Sequence, residues 1–520
     1  MKSILNNRFL LFFATGLLFF LAWPVVNLSV LALVAFVPLF FAERQFKNIW
    51  TYSLVLYTNF LVWNVLVTWW IKNASFEGAI GAILCNSALM CLPWLFYRIT
   101  RSMSKTSLAD SSIIFYWLAF EYLHLDWELS WSWLNLGNVF SNSTFLIQWY
   151  EYTGVLGGSL WILIVNFLLY KLLADYTFKK KPVLTLSVVV LTPVLVSLML
   201  IQTNKELTTV TNKENVVIVQ PNEDPYTEKF QKSESVLIHE LLSLTEANID
   251  ENTALVIWPE TAIPANLWED EIASNVLYQP IFEFADKYPQ LMLVTGINSA
   301  KVWRGAKKGF SVRSTNGMEY EVFNTAMKIE ANASSEFYHK NKLVPGVESL
   351  PSWLGFMSSV FSDLGGISGT LGRSEEPVVF KSKKGYSVAP IICYESIYGE
   401  YVGEFIKKGA NLIAVITNDG WWGDTPGYKQ HLSYSRLRAI ESRKWLIRSA
   451  NTGISAVIDP LGNVIESRGW NEQAVIKHSV QLNEESTIYT KFGDWIGKTA
   501  FILGIFILIY VFSTKYFLKK

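Results

Sequence analysis

Charged residues are scarce in this chain. They make up 17% of its 520 residues, whereas 51% are hydrophobic and 15% are aromatic. That balance is too apolar for an ordinary soluble protein of this length. Lysine plus arginine equals aspartate plus glutamate at 44 each, and the polar part of the chain contains no basic cluster. The composition therefore indicates a membrane protein and gives no sign of a nucleic-acid partner.

Cysteine is also scarce, since the chain contains only three. Cys85 and Cys91 lie in a hydrophobic stretch near the N-terminus, which leaves Cys393 alone in the polar part. No disulfide framework, metal site or cofactor is predicted. A lone thiol in the water-soluble segment is a candidate nucleophile. The alternative is a buried small hydrophobic residue, which is a common fate of free cysteine.

Long apolar runs occupy the beginning of the chain and its end. Because a membrane span needs about 20 apolar residues, the runs predict about seven transmembrane helices before a polar segment and one after it. We expect a membrane domain at 1–202, a soluble domain at 203–495, and a C-terminal transmembrane helix with a short cytoplasmic tail at 496–520. The predicted spans are about 8–25, 28–42, 50–71, 78–97, 111–125, 156–173, 183–201 and 496–514.

Positive charges are distributed unevenly among the loops that join these spans. With the N-terminus inside, one side collects nearly all of the lysine and arginine, and the opposite short loops hold only Lys72. This positive-inside pattern places the soluble domain outside the cytoplasm and requires an odd number of spans before it. Residues 1–25 have the basic start of a signal peptide, but no small-x-small cleavage signature follows, so the first span is expected to remain.

Apolar runs rich in β-branched residues recur through the soluble domain and predict buried strands between helices. Polar residues follow several of these runs, at the strand ends where α/β sheets carry binding and catalytic groups. Glu260 and Lys340 follow two of these runs, and Cys393 closes a third. The predicted strands lie at about 216–220, 254–258, 291–295, 323–329, 386–393, 412–417 and 454–458.

These three residues make chemical sense together. A thiol with a pKa of about 8.5 needs a base to remove its proton, and Glu260 is suited to that task. A cation such as Lys340 stabilises the oxyanion of a tetrahedral intermediate. Taken singly, Glu260 is also consistent with a neighbour of a helix N-cap, and Lys340 with a solvated surface charge.

The motifs around these residues resemble a known family. WPET at Glu260, YHKNKLVP at Lys340 and ICYE at Cys393 are similar to the catalytic triad of the nitrilase superfamily. NDGWWG at 418–423, the segment at 436–463, the stretches SWLNLG and QWYEYTGVLGGSLW, and YTKFGDW before the last span resemble bacterial apolipoprotein N-acyltransferases over nearly the whole chain. The resemblance implies a nitrilase-like αββα sandwich domain joined to a domain of about eight transmembrane helices.

The resemblance also implies an activity. A fatty acyl chain passes from a phospholipid donor, through a thioester on the cysteine, to the α-amino group of the S-diacylglyceryl-cysteine of an apolipoprotein acceptor. It further implies Glu348 as a second carboxylate of the site, with Tyr394 and Glu395 beside the nucleophile; a physical reason for Glu348 is to hold the ammonium of Lys340. We expect a monomer in the bacterial inner membrane, with its catalytic domain on the periplasmic side.

The chain departs from the family pattern in the lysine loop. The usual LVPFGE is LVPGVE here, and Lys342 replaces a histidine, so Lys342 is a second candidate for the catalytic lysine. Lys340 is preferred because it fills the motif position. A membrane-tethered amidase that passes the acyl group to water, and a scaffold with a decayed triad, are the alternative functions.

Aromatic residues suggest a route for lipid. Trp353 and Phe356 lie in an apolar stretch, at about 352–361, that is consistent either with protein core or with a mobile arm on the membrane surface. Trp421 and Trp422 are candidates for anchoring at the membrane interface or for packing beside the thiol.

Overall fold

A computed structural model describes residues 7–174, 179–209, 213–226, 229, 231–305, 309–349 and 370–517. The chain divides into two compact units, described separately below. The helical unit comprises 1–72, 76–203 and 492–520, and the α/β unit comprises 73–75 and 204–491.

The helical unit contains the apolar segments. Within its described residues, five helices are long and apolar enough to cross a membrane, at 49–73, 76–103, 155–174, 180–203 and 495–515. The predicted spans at 8–25, 28–42 and 111–125 correspond to shorter helices. The α-helices are Ala14–Ala22, Val37–Gln45, Ile49–Thr68, Phe76–Leu89, Cys91–Met103, Ser107–Leu123, Tyr150–Thr153, Val155–Ala174, Lys180–Thr203 and Trp495–Phe517.

Two buried asparagines explain why the first two helices can be short. The amide oxygen of Asn59 accepts hydrogen bonds from the backbone N–H groups of Thr15 (3.0 Å) and Gly16 (3.2 Å), where the first helix begins. The amide oxygen of Asn166 accepts one from Phe36 (2.8 Å), just before the second. Unpaired backbone groups are costly in apolar surroundings. These side chains therefore stabilise breaks in the chain where hydropathy alone predicts continuous spans.

The α/β unit is built on two sheets. The strands are β1 Lys213–Gln220, β2 Thr253–Ile257, β3 Ile263–Trp268, β4 Met292–Val302, β5 Arg313–Thr315, β6 Met318–Ile329, β7 Glu336–His339, β8 Phe380–Lys381, β9 Ser387–Ile392, β10 Leu412–Thr417, β11 Leu446–Ala450, β12 Ser455–Ile458, β13 Val464–Arg468 and β14 Ala474–Gln481. An eight-stranded sheet has the order β14-β1-β2-β4-β6-β5, with β3 paired to β4 and β7 paired to β6. A six-stranded sheet has the order β13-β12-β11-β10-β9-β8. Strands β1, β2 and β4 run parallel to one another, as do β9, β10 and β11.

Successive side chains of β1 point to opposite faces of the eight-stranded sheet and show what packs on each face. Val217 and Val219 lie in a core with the helices Glu234–Glu246 and Gln279–Lys287. Val216, on the opposite face, lies in a second core with β9, β10 and β11 of the other sheet. That second core also receives residues from two further helices, Gly399–Lys407 and Pro426–Ser442. Because strand side chains alternate between faces, one sheet can bury both of its surfaces, and the predicted α/β fold is confirmed.

The structure also contains strands that apolar patterning does not predict. Strand β11 carries Arg448 and Ser449, and both are fully buried, so its sequence lacks the continuous apolar run expected of a buried strand. The short strand β7 lies between the predicted strand at 323–329 and Lys340. Lys340 therefore follows β7 and not the strand at 323–329.

Candidate active site

Glu260 lies in the loop that follows the parallel strand β2, and its backbone is tightly fixed. Pro259 accepts a hydrogen bond from the N–H of Gly296 (3.1 Å). A Cβ atom at Gly296 would lie 2.6 Å from the Cα atom of Glu260, closer than atoms can approach, so only glycine fits there. The next residue, Thr261, adopts a left-handed backbone conformation (φ 50°), which is costly for a β-branched residue. The surrounding structure thus imposes the position of Glu260.

Lys340 lies between two carboxylates. Its Nζ atom donates to Oε1 of Glu260 (3.2 Å) and to Oε1 of Glu348 (2.9 Å). The amide Nδ2 of Asn324, in β6, donates to the same two oxygen atoms, over 2.7 and 3.0 Å. All four side chains are buried. The structure therefore brings three of the sequence-predicted residues into one hydrogen-bonded group, and it adds an asparagine that the sequence did not single out.

Lys342, the alternative lysine, has different surroundings. Its ammonium lies 5.6 Å from the ring centroids of both Tyr398 and Tyr401, within the range of cation–π attraction. Lys340, in contrast, meets Glu260 and Glu348. The geometry favours Lys340 as the cation that acts at the candidate site.

Cys393 lies at the carboxyl end of β9 in a strained turn. Its φ is 49°, in the left-handed region that residues other than glycine seldom adopt. A short 3-10 helix starts at this residue, so the thiol stands on a sharp turn between strand and helix. Burial raises the pKa of the thiol, as does the charge of Glu260, and the charge of Lys340 opposes them. The thiol is therefore protonated at neutral pH and requires a base.

Glu395 joins the cysteine loop to the lysine loop. Its Oε2 atom accepts from the backbone N–H of Ile392 (2.9 Å), immediately before the thiol. Its Oε1 atom accepts from the hydroxyl of Tyr338 (2.5 Å) and from the N–H of Asn341 (2.7 Å), the residue after Lys340. Burial raises the pKa of Glu395 to about 7 against the effect of these hydrogen bonds. The carboxyl group fixes both loops in one arrangement.

The charges of the site act on one another. Burial alone would raise the pKa of Glu260, but the ammonium of Lys340 and the amide of Asn324 outweigh it and hold that pKa below its ordinary value. Burial disfavours the ammonium of Lys340, and the charges of Glu260 and Glu348 more than compensate, so the pKa of Lys340 is raised. At neutral pH the site therefore contains a carboxylate and an ammonium beside a protonated thiol.

A buried polar network of Asp419, Arg448 and His431 contacts the turn at Cys393. Asp419 accepts from Arg448 (2.6 Å) through one oxygen atom and lies 2.9 Å from Nδ1 of His431 through the other. The Nε2 atom of the same histidine lies 3.1 Å from the carbonyl oxygen of Cys393 and 2.9 Å from the hydroxyl of Ser396. The network thus connects three elements, namely the end of β10, strand β11 and the helix Pro426–Ser442, to the turn at Cys393. His431 thereby contacts the backbone of Cys393 at its carbonyl oxygen.

The NDGWWG segment follows β10 and also contacts the site. The backbone N–H of Asn418 donates to Oε2 of Glu260 (2.9 Å). Trp422 packs edge-to-face on His431, with ring centroids 5.3 Å apart, and Trp421 packs in the same way on Tyr226 at 5.4 Å. Trp422 thus packs near the turn at Cys393. Anchoring of the two tryptophans at the membrane interface stays a prediction.

The remaining predicted residues fall into two groups. Tyr394 is buried and packs edge-to-face on Tyr398, with ring centroids 5.4 Å apart. Trp353 and Phe356, with the rest of the predicted arm, lie outside the described residues. Among the described residues, no group of three or more His, Cys, Asp or Glu side chains is arranged to hold a metal ion.

Sequence reasoning missed three polar residues. Asn324 lies within the predicted strand at 323–329, where an amide among apolar residues is itself a signal, because buried polar groups need partners. His431 lies within a long helix with no pattern to mark it. Lys229 is 1% exposed, and its Nζ atom donates to the carbonyl oxygen of Glu260 (3.2 Å). Its polar surroundings in the sequence suggest an exposed lysine.

The arrangement has the parts needed for acyl transfer. A thiolate can act as a nucleophile, a carboxylate can act as a base, and a fixed ammonium can stabilise an oxyanion. Cys393, Glu260 and Lys340 carry these three kinds of group. Each part lies at or beside a strand end, as the sequence predicts. Such a site can form and resolve a covalent acyl intermediate.

Comparison with known proteins extends over both units. Residues 216–488 match the carbon-nitrogen hydrolase family, and residues 15–168 match the apolipoprotein N-acyltransferase N-terminal domain. The apolipoprotein N-acyltransferase of Chlorobaculum tepidum is 30% identical, over 98% of this chain and 97% of its own. That of Rickettsia bellii is 30% identical, over 78% and 75%. A nitrilase-superfamily structure from Saccharomyces cerevisiae has 16% identity and a TM-score of 0.36, over 52% of this chain and 91% of its own. The resemblance of the motifs is thus confirmed by the sequence relatives: the chain belongs to the apolipoprotein N-acyltransferase family.

Proposed function

We propose that this protein transfers a fatty acyl chain from a glycerophospholipid to the α-amino group of the S-diacylglyceryl-cysteine at the N-terminus of an apolipoprotein. The reaction has two halves linked by a thioester on Cys393. The relatives' name supplies the acceptor class and the reaction type. The residues of the candidate site supply the mechanism.

The first half acylates the enzyme. Glu260 takes the proton of Cys393, and the sulfur attacks the carbonyl carbon of the phospholipid ester. The carbonyl oxygen becomes an oxyanion, which the ammonium of Lys340 stabilises. When the intermediate collapses, the carbon–oxygen bond to the glycerol breaks, and Glu260 returns the proton to the departing oxygen. The products are a lysophospholipid and a thioester.

The second half transfers the acyl group. The amine of the lipoprotein attacks the thioester carbonyl, and Lys340 again stabilises the oxyanion. Glu260 takes the proton from the attacking nitrogen and returns it to the leaving sulfur, so an amide and the original thiol result. One carboxylate therefore serves as base and acid in each half. The two substrates react in turn, which is a ping-pong scheme.

One observation carries this proposal: the ammonium of Lys340 contacts both Glu260 and Glu348 in a buried position. An ammonium of this kind is held in one place and shielded from water, so it stabilises a developing negative charge more strongly than a solvated lysine does. Asn324 fixes the same pair of oxygen atoms. A lysine that served only to pair with one carboxylate would not need that arrangement.

We propose the following membrane arrangement on the basis of hydropathy and loop charge. The chain crosses the inner membrane with about eight helices and works as a monomer, and residues 203–495 form the catalytic domain on the periplasmic side. The uneven distribution of lysine and arginine supports this orientation. A membrane-impermeant thiol reagent applied to intact spheroplasts should label Cys393, and labelling only after permeabilisation would refute the orientation.

The function is tested by following both halves with purified protein. Labelled phospholipid and a synthetic diacylated lipopeptide are incubated with the enzyme, and the products are weighed by mass spectrometry. We expect a protein adduct of one acyl chain, then a triacylated peptide. Cys393→Ala should abolish both, and Cys85→Ala and Cys91→Ala should leave both intact. Free fatty acid as the sole product would indicate a hydrolase, and normal transfer by Cys393→Ala would overturn the mechanism.

A further inference from the structure

A second lysine lies beside Glu260, outside the predicted triad. Lys229 belongs to the segment between β1 and the helix Glu234–Glu246. Its side chain is 1% exposed, and its Nζ atom donates to the main-chain carbonyl oxygen of Glu260 over 3.2 Å. Its own N–H donates to the carbonyl oxygen of Asp224 (2.9 Å). A lysine is almost never buried this completely unless a partner charge requires it.

The charges of the candidate site explain why a buried lysine is needed there. Glu260 and Glu348 are two buried carboxylates, and both contact the same ammonium, that of Lys340. With Lys340 alone, the three groups carry a net negative charge in a desolvated site. Two carboxylates that share one cation compete for it, and such pairs tend to retain a proton at neutral pH. A retained proton on Glu260 would remove the base.

We propose that Lys229 is a positioning residue for the general base: it fixes the main chain of Glu260 and supplies the second positive charge that balances the two buried carboxylates. The inference rests on the proposed role of Glu260 and extends it. Lys229 acts through Glu260 and does not touch the reacting atoms. It thereby differs from Lys340, which we place at the oxyanion.

Electrostatics agree with this geometry. The charge of Lys229 is one of the causes that lower the pKa of Glu260, after the larger effects of burial, Lys340 and Asn324. Burial lowers the pKa of Lys229 itself to about 8, while the charges of Glu260 and Glu223 oppose that change. The side-chain amine of Lys229 therefore remains mostly protonated at neutral pH.

The surroundings of Lys229 also explain its fixed position. Glu223 is the other carboxylate that acts on it, and Oε1 of Glu223 is already paired with Lys232 (2.9 Å). The main chain at Glu223 is held by Asn451, whose Nδ2 atom donates to its carbonyl oxygen (2.6 Å). The segment is thus fastened to the end of β11. Because Glu223 has its own cation, we assign the charge of Lys229 to the Glu260 group.

The test measures how fast acyl-enzyme forms on the full-length protein, with a labelled phospholipid, from pH 4.5 to 8. Lys229→Met removes the charge and the hydrogen bond, and Lys229→Arg keeps the charge. Lys287→Met is the matched control, because this lysine lies on the surface and pairs with Glu246 (2.8 Å). Thermal unfolding reports whether each variant folds.

The base works only as a carboxylate, so a raised pKa of Glu260 moves the acidic limb of the profile toward neutral pH. For Lys229→Met we expect the acidic limb of the pH–rate profile to shift by about one to two pH units. At pH values below the shifted limb, acyl-enzyme should form about tenfold or more slower than in the wild type. Lys229→Arg and Lys287→Met should keep the wild-type limb. If the methionine variant does not fold, Lys229→Gln, which keeps a donor and loses the charge, provides the same comparison.

The outcomes separate this inference from the function beneath it. A folded, uncharged Lys229 variant whose limb coincides with that of the wild type would overturn the inference, even if its rate fell equally at every pH. A wild-type protein that forms no acyl-enzyme would instead overturn the proposed function. A limb that moves with loss of the charge and stays with arginine would support both.

Discussion

The ammonium of Lys340 and the carboxylate of Glu348 are in contact over 2.9 Å, and both side chains are buried. The same nitrogen reaches Glu260 over 3.2 Å. An ammonium has three hydrogens to donate, and two of them meet these carboxylates. We expect the third to meet the oxyanion of the substrate. The lysine is thus positioned by acidic partners before substrate arrives, which is how electrostatic catalysis avoids reorganisation during the reaction.

Glu348→Gln tests this positioning role. The amide keeps the size of the side chain and loses the charge. Glu348 now accepts hydrogen bonds from Lys340 and from the N–H of Val344 (2.9 Å), and the NH₂ group of glutamine must face one of these two donors. We expect acyl-enzyme to form about 10- to 100-fold more slowly, since a loosened donor stabilises the oxyanion less. Glu376→Gln, at an exposed pair with Lys408, is the control and should keep full activity. An unaffected Glu348→Gln would show that the carboxylate does not hold the lysine.

The two neighbouring lysines should respond very differently to the same change. Lys340→Met removes the cation that we propose for the oxyanion, and we expect a loss of about 100-fold or more in acyl transfer. Lys342→Met removes a cation that lies over two tyrosine rings and should have a much milder effect. The measurement is transfer from phospholipid to a diacylated lipopeptide. If Lys342→Met were inactive and Lys340→Met active, the assignment of the catalytic lysine would be wrong.

The sequence predicts the positions of Glu260 and Cys393 in the fold better than it predicts the residues that hold the site together. Glu260 and Cys393 follow apolar runs, and the structure places them after parallel strands, because carboxyl strand ends gather functional groups. Asn324 could not be found this way. Its importance depends on the antiparallel register of β6 with β4, where it lies opposite Asn298, and no local pattern encodes that pairing.

Long-range polar contacts account for the other differences. Strand β11 contains Arg448, whose buried guanidinium pairs with Asp419, a residue at the end of another strand. In the helical unit, the side chain of Asn59 accepts a hydrogen bond from the backbone N–H of Thr15, so a helix begins at a point where hydropathy predicts a continuous span. Apolar periodicity reports which surfaces are buried. It does not report which distant side chain completes a hydrogen bond.

Asp419→Asn should destabilise the α/β unit. Both Asp419 and Arg448 are fully buried and lie 2.6 Å apart, so the change leaves a buried guanidinium without its counter-charge. Breaking one side of such a pair costs about 3–5 kcal/mol. We expect a lower midpoint of thermal unfolding, measured in detergent by tryptophan fluorescence. Asp250→Asn, at the exposed pair with Lys477, should leave the midpoint unchanged, and equal midpoints for the two variants would contradict the role given to the buried pair.

Asn324→Leu should change the pH dependence of acylation. In the wild type, the hydrogen bond from Asn324 helps Lys340 to hold the pKa of Glu260 below its ordinary value, so the base is ionised throughout the neutral range. Leucine has a similar size and cannot donate, so the pKa of Glu260 should rise. In the proposed mechanism Glu260 accepts the proton of Cys393 only as a carboxylate. The rate should therefore fall first at the acidic end, and the loss at pH 5 should exceed the loss at pH 8.

The control for this variant lies directly across the sheet. Asn298 pairs with Asn324 in the strand register, and its own amide donates to the carbonyl oxygen of Pro264 (3.2 Å). Asn298→Leu therefore removes an amide from the neighbouring strand without removing a donor to either carboxylate, and its pH profile should match that of the wild type. The decisive quantity is the ratio of the acylation rates at pH 5 and pH 8. If that ratio were the same in all three proteins, Asn324 would support only the fold, and the ionisation of Glu260 would depend on the lysines alone.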